Sequence, residues 1–563
     1  MSLLIDALVN LWRLLRNAYV RLLRRPPGFV WIEASGSLPE LESRVDLIQR
    51  RLRPAPAGPS LERIREQLRL ISADGRPLGV ALRVRGLDAG WASLEELRRE
   101  LTAFREGGGR VVVYLMEADS RAYYLACAAD EILATPLTTI GLTGVRTRVN
   151  FLRDALSRVG LEAEVVAVSP YKSAGDPFVR NDFSEESREQ AERLLDRRYE
   201  ELVGAVAEGR EITREEARAW IDGAPYGVPE AHARGLLDGV CYEDELPQRL
   251  GGEGREATLA EWGVARRSLR VPYRRGLRRR VGLVSLSGAI VRGQSRKLPL
   301  PLPFVGGEQA GSESIVAALR LAERNRRVAA VLFHVESRGG DALASDLIWR
   351  EVERIRARKP VVVLMGNVAA SGGYYVSAAA NHVVVRRNTV TGSIGVVSVR
   401  PIAKGLYGKL GVNPVALERG ARAGLFDPSR RPPPDELRVL EGQLGFVYDE
   451  FKDRVSRGRR MEAGDLESIA GGRVWTGAEA HEIGLADEVG GFREALRKAR
   501  QLGKIERDVP GLLLKISPPR SGRPAPGDPA EAAREMVGDV GRALSELLAH
   551  RVWAAAPYEI SED

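Results

Sequence analysis

The sequence predicts an α/β protein built from two tandem domains, each with a mainly parallel sheet flanked by helices. Short β-branched runs alternate with helical patterns, as in VAAVLFHV at 328–335 followed by ALASDLIWREVERIRAR at 342–358. This alternation is typical of buried parallel strands joined by helices. The same series of segments also occurs twice along the 563 residues, at an offset of about 250 positions, which indicates an internal repeat.

Five pairs of similar segments carry the duplication, and their order is kept throughout. The pairs are FVWIEASGSL from 29 and VGLVSLSGAI from 281, RVVVYLM from 110 and KPVVVLM from 359, DSRAYYLACAAD from 119 and ASGGYYVSAAAN from 370, IGLTG from 140 and TGSIG from 391, and two acidic helical segments from 184 and 433. A solenoid repeat would be much shorter. The repeated unit is therefore a whole domain.

The repeat and the composition of the connecting segments define five regions. We assign residues 1–27 to an amphipathic helix, 28–265 to the first repeat, 266–280 to a basic linker, 281–505 to the second repeat, and 506–563 to a Pro/Gly-rich tail that could end in a helix. The linker reads RRSLRVPYRRGLRRR, and the tail contains SPPRSGRPAPGDP. Segments of this composition do not build a packed core.

Composition excludes several classes of protein. Hydrophobic residues make up 44% and charged residues 29% of the chain, values that are ordinary for a globular protein. The cysteines, Cys127 and Cys241, are too few for a disulfide scaffold or a Cys-rich zinc site. The five histidines form no HExxH motif, so no metal is expected. The net charge of +9 comes from interspersed charges, which favours a solvated surface over a nucleic-acid site.

Lysine usage singles out one residue. The chain has nine lysines against 76 arginines, and Lys172 is the only lysine before Lys297. The two residue types are interchangeable as surface charge, but a guanidinium does not lose its proton in a protein, whereas an amine can. Lys172 is therefore a candidate general base, with chance as the alternative explanation.

A candidate nucleophile lies in the second copy. Ser371 stands in MGNVAASGGYYVSAAA, where a strand pattern changes to a helix and small neighbours leave a hydroxyl open. The N–H group of Gly372, and those of Gly339 and Gly340 after another strand, could donate to a developing oxyanion. The first copy has Ser120 in the matching segment but lacks both glycine pairs.

The two copies complement each other. The first has Lys172 without the glycines, whereas the second has Ser371 and the glycines but carries Ala421 at the lysine position. A single site assembled from both copies explains this pattern, and independent drift of two structural copies is the alternative. A neutral lysine can activate a serine once its pKa falls from about 10.4 toward neutrality. His334 and His382 are interpreted as structural.

Four motifs together resemble bacterial signal peptide peptidase A, or protease IV, in its long tandem-repeat form. They are YKSAGDPF at 171–178, RGGDALAS at 338–345, AASGGYY at 369–375 and TGSIG at 391–395. The resemblance implies a Clp-protease/crotonase-like fold, Ser371 as nucleophile, Lys172 as general base and Ser393 as a hydrogen-bond partner of the lysine. It also implies cleavage of remnant signal peptides, a homo-oligomer (a tetramer in the family), no cofactor, and a place at the bacterial inner membrane.

Residues 1–25 are predicted to bind a membrane surface. The segment LLIDALVNLWRLLRNAYVRLLRR at 3–25 has no apolar run of the roughly 20 residues that a spanning helix needs. Its polar and basic side chains share one face of a helical wheel, which suits an anionic leaflet. A helix docked on the body of the protein is the alternative. The sequence leaves the side of the membrane open.

The sequence leaves two other functions open. A crotonase-like enzyme acting on an acyl-thioester would share the fold but would leave Lys172 and Ser371 unexplained. A non-catalytic membrane scaffold would use the duplication for assembly alone. The sequence also leaves open whether Lys172 meets Ser371 of its own chain or of a neighbouring chain.

Overall fold

The computed structural model describes most of the chain. The described residues are 2–42, 58–252, 254–273, 279–298, 307–506, 512–517 and 553–555, without the side chains of 2–5, 297–298 and 553–555. Most of the predicted tail, including the helix expected near its end, lies outside these residues.

The strands alternate with helices along both halves of the chain. In chain order they are β1 Phe29–Gly36, β2 Gly79–Leu87, β3 Arg110–Leu115, β4 Ala118–Asp119, β5 Glu131–Ala134, β6 Thr139–Gly141, β7 Glu162–Ala167, β8 Tyr226–Gly227, β9 Gly239–Val240, β10 Leu259–Glu261, β11 Arg280–Ser287, β12 Ala289–Val291, β13 Arg296–Leu298, β14 Gly307–Gly311, β15 Val328–Ser337, β16 Gly339–Asp341, β17 Val361–Ala370, β18 His382–Val385, β19 Val390–Gly392, β20 Val397–Ile402, β21 Val474–Thr476, β22 Glu488–Val489, β23 Leu513–Lys515 and β24 Trp553–Ala555.

The helices between them include the amphipathic N-terminal helix and two 26-residue helices. In chain order they are α1 Ser2–Leu23, α2 Leu61–Asp74, α3 Trp91–Glu106, α4 Ser120–Ala126, α5 Arg153–Arg158, α6 Asp176–Val179, α7 Glu185–Arg210, α8 Arg214–Gly223, α9 Val228–Ala233, α10 Leu246–Gly251, α11 Trp262–Ser268, α12 Ser312–Arg324, α13 Ala342–Arg356, α14 Gly372–Ser377, α15 Lys404–Leu410, α16 Pro434–Arg459, α17 Ala463–Ile469, α18 Gly477–Glu482 and α19 Phe492–Leu502.

Each repeat contains a parallel sheet, and the two sheets have the same strand order. In the first repeat the order is β10-β1-β2-β3-β5-β9, and every neighbouring pair is parallel. In the second repeat β11, β15, β17, β18 and β22 follow one another in the same way, again all parallel. The matching edge strand, β23, pairs parallel with β11 and comes from residues 513–515, which the sequence assigned to the tail; strand pairing therefore makes this part of the predicted tail a member of the sheet. The predicted α/β class with mainly parallel sheets flanked by helices is confirmed.

The chain divides into two compact units whose limits differ from those of the repeats. Unit 1 contains Met1–Val145, Asp196–Arg278 and Arg507–Leu512, and unit 2 contains Arg146–Leu195, Arg279–Glu506 and Leu513–Asp563. The segment 146–195, which the sequence comparison places in the first repeat, therefore packs with the second. The physical reason is strand pairing, because β7 pairs antiparallel with β20 over six residues.

Each unit has its own apolar core. In unit 1, β-branched side chains of β1, β2 and β3 pack against α3 and α4. In unit 2, the corresponding side chains of β11, β15 and β17 pack against α13, α14 and α16. Val331, Phe333 and Val363 are fully buried there. These near-continuous apolar strands are what a sheet covered on both faces requires.

Unit 2 contains a second sheet, which includes β16, β20 and β7, the strand that precedes Lys172. Its order is β13-β14-β12-β16-β24-β20-β7. The short strand β24, near the end of the chain, lies antiparallel to β16, with Gly340 opposite Ala554. It also pairs with β20 at Val397 and Trp553. One edge of β16 is therefore paired with an extended segment of the same chain in antiparallel orientation.

Residues 2–23 form helix α1, whose polar face contacts the rest of unit 1 and is not turned to solvent. Arg16 donates to the carbonyl of Leu269, and Asn17 exchanges two hydrogen bonds with the main chain of Val271. The apolar face is exposed instead. Its large apolar side chains, each at least half exposed, are Leu8, Leu11, Trp12, Leu14, Leu15, Tyr19, Leu22 and Leu23. Within the described residues, no helix has the length and hydropathy to cross a bilayer.

Candidate active site

Ser371 lies at a sharp junction between β17 and α14. Its φ of 54° and ψ of −116° are unusual for a residue with a side chain, and such conformations cost about 1–3 kcal/mol. The junction is held because the Ser371 N–H donates to Gly392 O at 2.8 Å and its carbonyl accepts from Tyr375 N at 2.8 Å. The side chain is fully buried.

Lys172 and Ser371 meet within one chain and within unit 2. The Nζ atom of Lys172 lies 2.6 Å from Ser371 Oγ, and the lysine is only 1% exposed. The lysine follows β7 and directly precedes a short 3₁₀ turn at Ser173–Gly175. Pairing of β7 with β20 carries this segment to the nucleophile.

Ser393 completes the polar surroundings of the amine. Both its carbonyl and its hydroxyl oxygen lie 2.9 Å from Lys172 Nζ. Ser393 also has a positive φ, 52°, and its N–H donates to Arg473 O at 2.6 Å. A neutral amine has two N–H donors and one lone pair. Directing the donors to the two Ser393 oxygens leaves the lone pair facing the Ser371 hydroxyl.

Burial away from water holds the pKa of the Lys172 amine well below its ordinary value, because desolvation penalises the charged form. In the described part of the chain, the three contacts of Nζ are with neutral oxygens of two serines. Therefore no negative charge at hydrogen-bond distance counteracts the desolvation, and the neutral amine is favoured.

The three glycines predicted to donate to an oxyanion differ in their availability. Gly372 begins α14 directly after Ser371, so its N–H has no acceptor within the helix. The N–H of Gly339 instead donates to Ser337 Oγ at 3.1 Å. Gly340 has a φ of 154° and lies close to Ile290. A Cβ on Gly340 would lie 2.1 Å from the carbonyl oxygen of Ile290. Glycine is required there for that approach.

The two histidines interpreted as structural each contact another polar side chain. His382 Nε2 lies 3.0 Å from a Glu488 carboxylate oxygen, and buried His334 Nδ1 lies 3.3 Å from Ser285 Oγ. Asp341, at the start of α13, accepts from the N–H of Ala344 at 2.8 Å and pairs with Arg292.

Sequence reasoning missed the loop that packs against the lysine. A Cβ on Gly472 would lie 2.6 Å from the main-chain nitrogen of Lys172, and one on Gly395 would lie 3.3 Å from its side chain. Ser169 donates from its hydroxyl to Gly471 O. A signal was present, because Gly471 and Gly472 form another glycine pair that the first repeat lacks in its matching segment, GAPYG at 223–227.

Comparisons with known proteins identify the class. A model of peptidase family S49 matches residues 103–254 and 353–506, one region in each repeat. The chloroplastic serine protease SPPA of Arabidopsis thaliana is 34% identical over 502 residues, which cover 87% of this chain and 72% of that protein. The chain belongs to peptidase family S49 and is a protease.

Two bacterial relatives extend the likeness. Protease 4 of Haemophilus influenzae is 31% identical over 74% of this chain and 68% of that protein. Protease 4 of Salmonella typhi is 27% identical over 85% of this chain and 79% of that protein. A ClpP1 mutant from Listeria monocytogenes, a solved structure, aligns with 38% of this chain and 94% of its own, at 14% identity and a TM-score of 0.25.

Replacing Gly472 by alanine should displace the lysine. The new Cβ would lie within 2.8 Å of Lys172 N and Cα, at a φ of 83° that favours glycine. We expect kcat/KM for peptide hydrolysis to fall at least about tenfold, since small displacements of reacting groups are costly. Gly464→Ala is the matched control, because its Cβ meets nothing within 4 Å. Full activity of Gly472→Ala would contradict this account of the loop.

Stability should depend on pH through Lys172. Because burial lowers the pKa of Lys172, the unfolded chain binds a proton that the folded chain lacks at pH values between that lowered pKa and about 10.4. The contribution of Lys172 to the free energy of unfolding therefore rises with pH across this range. We expect Lys172→Met to raise Tm at neutral pH, with the advantage shrinking toward pH ~10.

Lys452→Met is the control for that measurement, because Lys452 is partly exposed and paired with Glu467. A Tm advantage of Lys172→Met that stays constant from neutral to alkaline pH would show that the amine is already charged in the folded protein.

Proposed function

We propose that the chain is a serine endopeptidase whose nucleophile is Ser371 and whose general base is Lys172. The observation that carries the proposal is the 2.6 Å approach of Lys172 Nζ to Ser371 Oγ in a buried site. Burial supports the neutral form of the amine, which is the form able to accept a proton. Ser393 orients the amine through its two oxygens.

The reaction follows from this arrangement. Lys172 takes the proton of the Ser371 hydroxyl while Oγ bonds to the carbonyl carbon of the scissile peptide. When the carbon–nitrogen bond breaks, the leaving amine receives that proton from Lys172, and an acyl ester remains on Ser371. Lys172 then deprotonates a water molecule that attacks the ester, and returns the proton to Ser371 Oγ as the acid product leaves.

Main-chain N–H groups would stabilise the negative oxygen of the tetrahedral intermediates. Gly372 supplies the first donor, since its N–H follows the nucleophile and has no helical acceptor. Gly339 and Gly340 are the candidates for the second donor; the Gly339 N–H donates to Ser337 Oγ, and Gly340 pairs with Ile290 and Ala554 in the sheet.

The substrates are peptides, and we propose remnant signal peptides in particular. The pairing of β24 with β16 supports binding of an extended chain next to the predicted oxyanion glycines. Self-assembly into a homo-oligomer belongs to the same proposal. Exposed Leu410, Val415 and Leu417, of which Leu417 is 93% exposed, supply apolar surface for contact between copies.

We further propose that α1 attaches the protein to an anionic membrane surface. Its outward apolar face, with Trp12 and Tyr19 among the leucines, suits the boundary between headgroups and acyl chains. Exposed Arg21, Arg24 and Arg25 at its end suit anionic headgroups. The inward hydrogen bonds of Arg16 and Asn17 fix this orientation.

Hydrolysis of an unstructured, hydrophobic fluorogenic peptide tests the proposed pair. Ser371→Ala and Lys172→Arg should each lose about 10³-fold or more in kcat, because one removes the nucleophile and the other a titratable base. A fluorophosphonate should label wild type and leave Ser371→Ala unlabelled.

Two matched control variants make the same kinds of substitution outside the proposed pair. One removes a different buried serine hydroxyl, and the other replaces a different lysine by arginine. Ser345→Ala removes a buried hydroxyl bonded to Asp341 O, and Lys404→Arg alters an exposed lysine; both should remain active. An active Lys172→Arg beside an inactive Ser371→Ala would place the base elsewhere. An inert wild type would favour the acyl-thioester or scaffold hypotheses.

Flotation with vesicles of phosphatidylcholine and phosphatidylglycerol tests membrane attachment. The double variant Leu11→Asp, Leu15→Asp should abolish flotation of the full chain, since it places charge on the face that meets lipid. The double variant Leu78→Asp, Leu137→Asp, at residues that are 62% and 94% exposed elsewhere in unit 1, should leave flotation unchanged. Equal loss in both variants would argue against a specific role of α1.

A further inference from the structure

The lysine is carried by a segment that lacks regular secondary structure. β7 ends at Ala167 and the 3₁₀ turn begins at Ser173, so residues 168–172 form bends and a turn. Such a segment owes its position to contacts with other parts of the fold. The residues that hold it therefore influence where Nζ lies.

Arg473 makes three contacts around the residue next to the lysine. Its guanidinium carbon lies 3.6 Å from the ring centroid of Tyr171, and it donates to the Tyr171 hydroxyl. It also lies 3.1 Å from a Glu189 carboxylate oxygen at Nη1. The Tyr171 hydroxyl in turn donates to Glu189 at 2.8 Å. The three side chains form a closed triangle, which we call the Arg473 clamp.

The main chain of Arg473 reaches the other partner of the amine. Its carbonyl accepts the Ser393 N–H at 2.6 Å, and Ser393 supplies two of the three oxygens around Lys172 Nζ. One residue therefore contacts both sides of the polar cluster. Its carbonyl holds Ser393, and its side chain holds the neighbour of Lys172.

Helix α7 anchors the clamp from a third direction. Glu189 lies in its second turn, and the next residue, Gln190, donates to Tyr171 O at 3.2 Å while accepting from Val474 N at 2.8 Å. Gln190 is fully buried. The helix thus ties the loop that carries Lys172 to the loop that carries Arg473.

From these contacts, and on the basis of the proposed function, we propose that Arg473 is a positioning residue for the reaction. Its side chain fixes the position of Lys172 through Tyr171 and Glu189. Its carbonyl fixes the position of Ser393, so that both residues keep their places relative to Ser371. It touches neither the substrate nor the reacting atoms.

The clamp also shields the amine. The groups at hydrogen-bond distance from Nζ are the Ser371 and Ser393 oxygens. The elements packed around the lysine also carry Asp176, which accepts from Ser184, and Arg193, which stacks on Trp475, beside the paired Arg473 and Glu189. Glu189 is half exposed and Arg473 is partly exposed, so the clamp lies between the lysine loop and solvent, and we expect its loosening to admit water to that loop. Water at the amine lessens its desolvation, and the pKa of Lys172 then moves up toward its ordinary value.

The pH profile of peptide hydrolysis tests the proposal. Arg473→Gln removes the charge and the stacking, and we expect kcat to fall about tenfold or more with little change in KM. The acid limb of the kcat profile should shift to higher pH, because activity needs the neutral amine. Arg473→Lys, which keeps the charge, should recover part of the loss.

Tyr171→Phe keeps the ring and removes only the hydroxyl, so it tests the clamp if Arg473→Gln folds poorly; it should shift the acid limb in the same direction. Arg497→Gln removes a surface arginine paired with Glu488 and should leave the profile unchanged. An unmoved acid limb in Arg473→Gln and Tyr171→Phe, with or without a lower Tm, overturns the proposal. Inactive wild type would instead count against the proposed function.

Discussion

A buried lysine amine surrounded by neutral oxygens is the constraint on which the arrangement of unit 2 depends. Such an amine is costly to charge, so the fold must exclude water from it and still offer every N–H a partner. The structure meets both needs with Ser393, whose carbonyl and hydroxyl oxygens lie 2.9 Å from Nζ. The remaining contact of the amine is the Ser371 hydroxyl.

Unusual backbone conformations surround this amine. Ser371 and Ser393 both have a positive φ, and each is held by a short hydrogen bond from its N–H to a neighbouring loop or strand. Gly472 allows the backbone of its loop to lie against Lys172. Strain of this kind persists only where the surrounding structure over-determines it, as the strands and loops of unit 2 do here.

The first repeat keeps the sheet but uses the matching serine differently. Its parallel strands follow the same order as those of the second repeat, yet the Ser120 hydroxyl accepts the Gly144 N–H at 3.0 Å. A serine engaged in this way holds a loop in place. Duplication thus gave two similar scaffolds, and only unit 2 brings a lysine to the serine at this junction.

The sequence by itself determined the α/β class, the duplication and the residue types of the candidate site. These are local properties of the sequence, namely the strand and helix periods, the isolated Lys172 and the glycines beside Ser371. They can therefore be recognised from the sequence alone. Tertiary structure alone decided that residues 146–195 pack with the second repeat, that Arg473 holds the lysine loop, and that α1 turns its polar face inward. These outcomes depend on strand pairing and on contacts between residues as far apart as 302 positions, and no local pattern encodes such contacts.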